Sequence, residues 1–260
     1  MLGEPVGCQF ISCVPREGVS ALLQGKALAA AVPVGGLPVL KGIVEPLGRF
    51  GIAAKEKSVS VLFFSDRPFD TVKAPVRILL TDESESSVRL LYLLLGYRHG
   101  FDFIPGIANS REEANGELII GDAALQQGWL WRTTPGYDIF SNRPCSRYNY
   151  VTDLASEWYA IHKLPFVFAR WVIRTDAPTE ARKALEDWLA AFQTREKELV
   201  DRAVQGATKA LDMPYQHILD YFHVIRRTLH DEDLAGQELF LQEIQKYGRD
   251  PLFSGKQGVD

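Results

Sequence analysis

No stretch of this chain reaches the roughly 20 consecutive apolar residues that a membrane helix needs, although 46% of the residues are hydrophobic. That excludes a spanning helix and leaves apolar residues for a buried core, in one large or two modest domains across 260 residues. Cysteine is scarce. Cys8, Cys13 and Cys145 are odd in number and lack short paired spacing, which excludes a disulfide framework and a zinc or redox motif and is accounted for by free thiols in a reducing compartment. Positive charge is not clustered either, with 29 Lys and Arg against 33 Asp and Glu, so neither nucleic acid nor a membrane is an expected partner. His99, His162, His217, His223 and His230 offer no metal-ligand spacing, and no metal is expected. P-loop, GxGxxG and Ser/His/Asp orders are missing, as are internal repeats. Pro5-Val6-Gly7-Cys8 is like the end of a lipoprotein signal, but nothing basic or apolar precedes it, so a cytoplasmic location is expected.

What is present begins with Val76-Arg-Ile-Leu-Leu-Thr81, a strand-like run entering a hydroxyl-rich turn, followed by Leu90, Leu91 and Leu94 at helical spacing. Ser84, Ser86 and Ser87 therefore fall at a helix start, where unpaired N–H groups and the helix dipole suit a carboxylate or phosphate. A serine there also serves as a plain helix cap. Glu117-Leu-Ile-Ile-Gly121-Asp122 repeats the pattern, with Gly121 letting the backbone turn and Asp122 placed either as a cap or at the strand end where α/β proteins bind ligands.

Elsewhere the pattern predicts a short helix over Pro15 to Gln24, a strand over Ala27 to Val34 and another over Ser58 to Ser65. Alternation in that last strand puts Ser58 and Ser60 on one face, toward a cleft or toward solvent, with solvent favoured. Lys55-Glu56-Lys57 reads as a solvated loop, and Gly136 to Val151 as a loop without a period. A helix over Asp153 to His162 presents Leu154, Trp158 and Ile161 on one face, and Leu164 to Arg174 is an aromatic, β-branched strand. Pro178 to Tyr247 reads as helical, broken near Gly206 and Met213-Pro214. The alternation argues α/β with parallel sheets.

Five segments in order carry a family resemblance: Val59-Ser-Val-Leu-Phe-Phe-Ser65, Asp82-x-Ser84-x-Ser86-Ser87-Val88, Leu118-Ile-Ile-Gly-Asp-Ala-Ala-Leu125, Asp153-Leu-x-x-Glu157-Trp158 and Leu164-Pro-Phe-Val-Phe-Ala-x-Trp171. Together they resemble the chorismate dehydratases of menaquinone biosynthesis. The resemblance implies a two-lobed α/β fold of the type II periplasmic-binding-protein kind, with the ligand cleft between lobes and a helical C-terminal segment. It implies one lobe from residues 1–73 plus 171–260 and another from 74–170. It also implies a cofactor-free lyase that removes water from chorismate to give 3-[(1-carboxyvinyl)oxy]benzoate. Ser84, Ser86 and Ser87 would then hold a substrate carboxylate, with Ser60 and Gly121 lining the cleft and Asp122 orienting the substrate or moving a proton. The sister dihydroxynaphthoate synthases carry a Leu-Pro-Leu-Pro-type stretch where Leu164-Pro-Phe-Val-Phe-Ala stands here, which favours the dehydratase side.

The chain departs from the pattern at four places: Ser86 stands for the family's Thr, Glu56 for the glycine before the Val59 to Ser65 strand, and two further departures weigh more. The family's opening strand, with a Tyr-Leu-Asn whose Asn reaches the active site, has no counterpart in Met1-Leu-Gly3, and Glu85 stands where the family carries a positive charge. An anion beside an anion site opposes a dianionic substrate. Weak or absent turnover is therefore the expectation, with non-catalytic binding of a small carboxylate as the alternative.

Overall fold

Pro15 opens the first helix, where its missing N–H falls among donors that have no helical partner. The computed structural model describes residues 7–73, 76–134, 137–138, 143–144, 148–249 and 251–254. Helix α1 (Pro15–Leu23) leads through β1 (Ala29–Pro33) to a 3-10 turn (Val34–Leu40), then to β2 (Val44–Ala54), β3 (Val61–Ser65) and β4 (Arg77–Leu79). Next come α2 (Glu85–His99), β5 (Gly106–Ile107), β6 (Gly116–Ile120), α3 (Gly121–Thr133), β7 (Tyr137–Asp138) and β8 (Arg143–Pro144). The chain continues through β9 (Tyr150–Asp153), α4 (Leu154–His162), β10 (Phe166–Arg174), α5 (Thr179–Thr194), α6 (Glu196–Leu211), α7 (Tyr215–Val224), β11 (Ile225–Thr228) and α8 (Asp231–Tyr247).

The first sheet has the order β1-β10-β2-β11 with every pair antiparallel, and the second the order β5-β4-β6-β3-β9. Among the described strand pairs only β4 with β5 and with β6 is parallel, so the expectation of parallel sheets gives way to mixed α/β. The chain passes from the first sheet to the second between Ala54 and Val61 and returns between Asp153 and Phe166.

Trp158, Phe166 and Phe240 are almost fully buried and meet edge to face, joining α4, β10 and α8 in the main core. Ile161 is 39% exposed, so the buried face of α4 stops short of it. Ser58 and Ser60 are buried, against the solvent expectation, because residues 58–60 are not strand but a turn folded under Asp153. The C-terminal region also differs. The helices break at Arg195 rather than Gly206, which lies inside α6, and β11 interrupts the expected helical run. Cys8 and Cys13 are unpaired thiols, while Cys145, Met1 to Gly3 and most of the Gly136 to Val151 loop lie outside the described residues. Among the described residues no helix is long and apolar enough to cross a membrane, and no three His, Cys, Asp or Glu side chains are grouped to hold a metal.

Candidate functional site

Parallel β4 and β6 are neighbours in the second sheet and run the same way, and each leads into a helix, α2 and α3. Strand β3 is antiparallel to β6, which brings the residue before it, Ser60, to the end of β6, where its carbonyl accepts from Gly121 N at 2.8 Å. Gly121 has φ +64°, a left-handed turn that glycine takes without a Cβ penalty. Asp122 follows in the first turn of α3, exposed, and is not the cap. Topology therefore gathers Ser60, Gly121 and Asp122 at one end of the sheet, while the serine motif follows the neighbouring strand β4 after a loop.

A shared anchor holds this end. The Asp153 carboxylate accepts from Ser58 N at 2.9 Å, Val59 N at 2.7 Å and the Ser58 hydroxyl at 3.2 Å, and caps α4 by accepting from Ala155 N at 3.0 Å and Ser156 N at 3.3 Å. Burial pushes the Asp153 carboxyl up, and these donors pull it back toward the ionised form. Val59 is held at φ +53°, a conformation that costs a β-branched residue about 1–3 kcal/mol. Asp153 was legible only as part of a motif, yet it positions Ser60.

The serines divide their work. Ser84 caps α2, its hydroxyl oxygen accepting from Ser87 N at 3.3 Å and lying 3.0 Å from the Ser87 hydroxyl. Ser86 is fully buried, accepts from Gly35 N at 2.9 Å and donates to Phe168 O at 2.9 Å. That carbonyl belongs to the one residue of β10 without a counterpart in β2 between Val167 and Ala169. Ser86 thereby ties the start of α2 to the first sheet. The approach is close, since a Cβ on Gly35 would lie 3.1 Å from Ser86 N. Glu85, expected to repel an anion, is paired with Arg89 one turn along, which offsets much of its charge.

Sequence reasoning missed Tyr221. It reaches in from α7, and Ser60, Asp122 and Arg227 lie close enough to act on its phenol. Burial raises that phenol's pKa, Ser60 and Arg227 oppose the rise, and Asp122 adds to it. Its only signal in the sequence was its place in the run Pro178 to Tyr247 that reads as helical. His217 on the same helix lies 4.7 Å from Trp129, its pKa lowered by burial and by Arg132. A carboxylate, a phenol and a serine on a helix-start edge can orient an anionic substrate and move a proton.

A family described as menaquinone biosynthesis matches residues 2–246. No curated protein is similar enough to match. Among solved structures, AF1704 from Archaeoglobus fulgidus aligns with a TM-score of 0.63 at 12% identity, over 92% of this chain and 86% of that one. The periplasmic aliphatic sulphonate binding protein SsuA from Escherichia coli aligns with a TM-score of 0.53 at 13% identity, over 90% and 79%. The alkanesulfonate-binding protein SsuA from Xanthomonas axonopodis, bound to MOPS, gives 0.53 at 10% identity, over 90% and 80%. These likenesses establish a periplasmic-binding-protein-like fold.

Proposed function

The chain belongs to the menaquinone biosynthesis family, and on that premise we propose that it takes chorismate as substrate and eliminates water to give 3-[(1-carboxyvinyl)oxy]benzoate. The proton and the hydroxyl leave together as water, and aromatisation of the ring drives the reaction, so the protein's task is positioning and electrostatics. The closeness of Ser60, Asp122 and Tyr221, with the start of α2 following the parallel neighbour of β6, supports this reading. A substrate carboxylate lies at the start of α2, met by backbone N–H groups and by the Ser84 and Ser87 hydroxyls, while Ser86 keeps that helix start in place. Gly121 leaves room for the ring, and Asp122, exposed at the edge, orients the substrate or takes the proton. The two lobes, residues 1–73 plus 171–260 and residues 74–170, are carried over as part of this proposal. The reaction is assigned to the cytoplasm, with no cofactor.

The test is incubation of the purified chain with chorismate and chromatographic detection of the aromatic product. Asp122→Asn lowers kcat by about a hundredfold or more if that carboxylate moves the proton. Ser84→Ala with Ser87→Ala raises KM and leaves kcat closer to its starting value. A second reading is a small-carboxylate binding protein without turnover, favoured by the Ser86 hydroxyl being fully engaged with protein atoms. Chorismate binding by calorimetry with no product formed decides for it.

A further inference from the structure

Arg170 is a charged residue in the middle of a strand built from Phe, Val, Ala, Trp and Ile, and it is only 5% exposed. Trp171 and Ile173, on the other face of β10, join the cluster against α5, while Arg170 and Val172 turn toward α8. The guanidinium makes one protein hydrogen bond there, from Nη2 to Gly48 O at 2.9 Å. Its Nε and Nη1 are buried with no partner. Burial and the charge of Arg49 both lower its pKa, as expected of a cation with no carboxylate beside it. An arginine stays protonated even so, and an uncompensated buried charge is among the costliest groups a fold can hold. Retention of such a group calls for an anion, which none of the described residues provides.

The space for that anion is present. Arg170 lines a cavity of about 600 Å³ between the first sheet, the 3-10 turn and α8. Leu37, Val172, Leu241 and Ile244 supply apolar wall. Lys41 adds a second cation, and the acidic lining residue Glu45 is already bound to Arg182. Gln237 also lines the cavity, and its side-chain oxygen is buried without a donor. An orphaned cation and an orphaned acceptor in one largely apolar cavity specify a ligand with an anionic end, a compact apolar body and a hydroxyl.

We infer that this cavity binds a hydroxylated aromatic or alicyclic monocarboxylate, with its carboxylate accepting from Arg170, its ring against Leu37 and Leu241, and its hydroxyl donating to Gln237. None of the residues assigned to the proposed chorismate site lines this cavity, and the inference does not depend on that reading.

The probe is 3-hydroxybenzoate, titrated into the full chain by calorimetry, with 3-hydroxybenzamide as the neutral counterpart. Binding near 0.1 mM is the order expected of a ligand this small. The benzamide and the Arg170→Met variant should each bind at least tenfold more weakly, Arg170→Lys should retain part of the affinity, and Gln237→Leu should lose several-fold. Ser84→Ala with Ser87→Ala weakens any 3-hydroxybenzoate bound at the proposed chorismate site, whose product shares its ring and carboxylate, so affinity kept in that double variant and lost on adding Arg170→Met belongs to this cavity, and either idea can fail alone. The melting temperature separates a ligand role from a structural one. Arg170→Met replaces an unpaired buried charge by an apolar chain and should melt no lower than the parent. Equal binding of acid and amide, no measurable binding of the acid, or undiminished affinity in Arg170→Met or Gln237→Leu would overturn the inference, as would a clearly lower melting temperature for Arg170→Met.

Discussion

Asp153 and Arg170 are both charges drawn into the protein, and they are treated in opposite ways. Asp153 is surrounded by donors from residues 58, 59, 155 and 156, so its charge is shared among the backbone of two segments. Arg170 donates once, to Gly48, and its remaining buried nitrogens meet no acceptor. The first arrangement builds the fold, because every hydrogen bond joins chain to chain. The second leaves an energetic debt within the fold and marks a place where something else is meant to bind. Partner count, not burial, separates a structural charge from a recruiting one.

That contrast can be broken most severely at Asp153. Asp153→Ala removes the cap of α4 and the anchor of the turn before β3, and should cost about 3 kcal/mol in urea unfolding. Arg170→Met should show no such loss, and equal destabilisation of the two variants would erase the distinction. Ser86 belongs with Asp153, since both of its hydrogen-bonding functions join chain to chain. Ser86→Ala should cost about 1–2 kcal/mol in the same assay, through unpaired groups at Gly35 and Phe168. A sharper form uses the strain at Val59. In a Val59→Gly background the loss from Asp153→Ala should shrink by about 1 kcal/mol, because there is less strain for the carboxylate to hold, and strict additivity would show that Val59 is at ease. The smallest effect comes from His162, whose buried Nε2 has no partner and whose pKa burial lowers from 6.5, with Glu243 opposing. The unfolded chain takes up the proton first, so the stability from neutral His162 is present above pH 6.5 and lost as pH falls through the window below it. His162→Gln should flatten that part of the stability curve measured by thermal melts.

Local patterns were easy to read where one residue type does one job. Ser84 caps the helix its leucines announced, Pro15 opens α1, and β6 ends at Gly121 because the turn there needs a positive φ. Segments whose conformation is set by distant partners were not readable. β11, Ile225-Arg-Arg-Thr228, carries two arginines and no strand signature, and it is a strand because β2 offers it an edge. Residues 58–60 alternate like a strand but are bent by a carboxylate some 95 positions along the chain. Arg170 sits at the variable position of a recognised motif, and nothing in the sequence tells whether an arginine there reaches solvent, a carboxylate or an empty cavity.

The order of the first sheet bears on how the chain acquires its shape during synthesis. β1 and β2 do not pair with each other, because β10 lies between them, and β10 is made more than a hundred residues after both. All the strands of the second sheet, by contrast, lie between Val61 and Asp153. A growing chain can therefore assemble the second sheet while the first waits as unpaired edges, open to mispairing until Phe166–Arg174 inserts. Expression under conditions that slow translation after about residue 155, or with a chaperone holding the nascent chain, bears directly on soluble yield, and the last strand to arrive is the one that carries Arg170 into the interior.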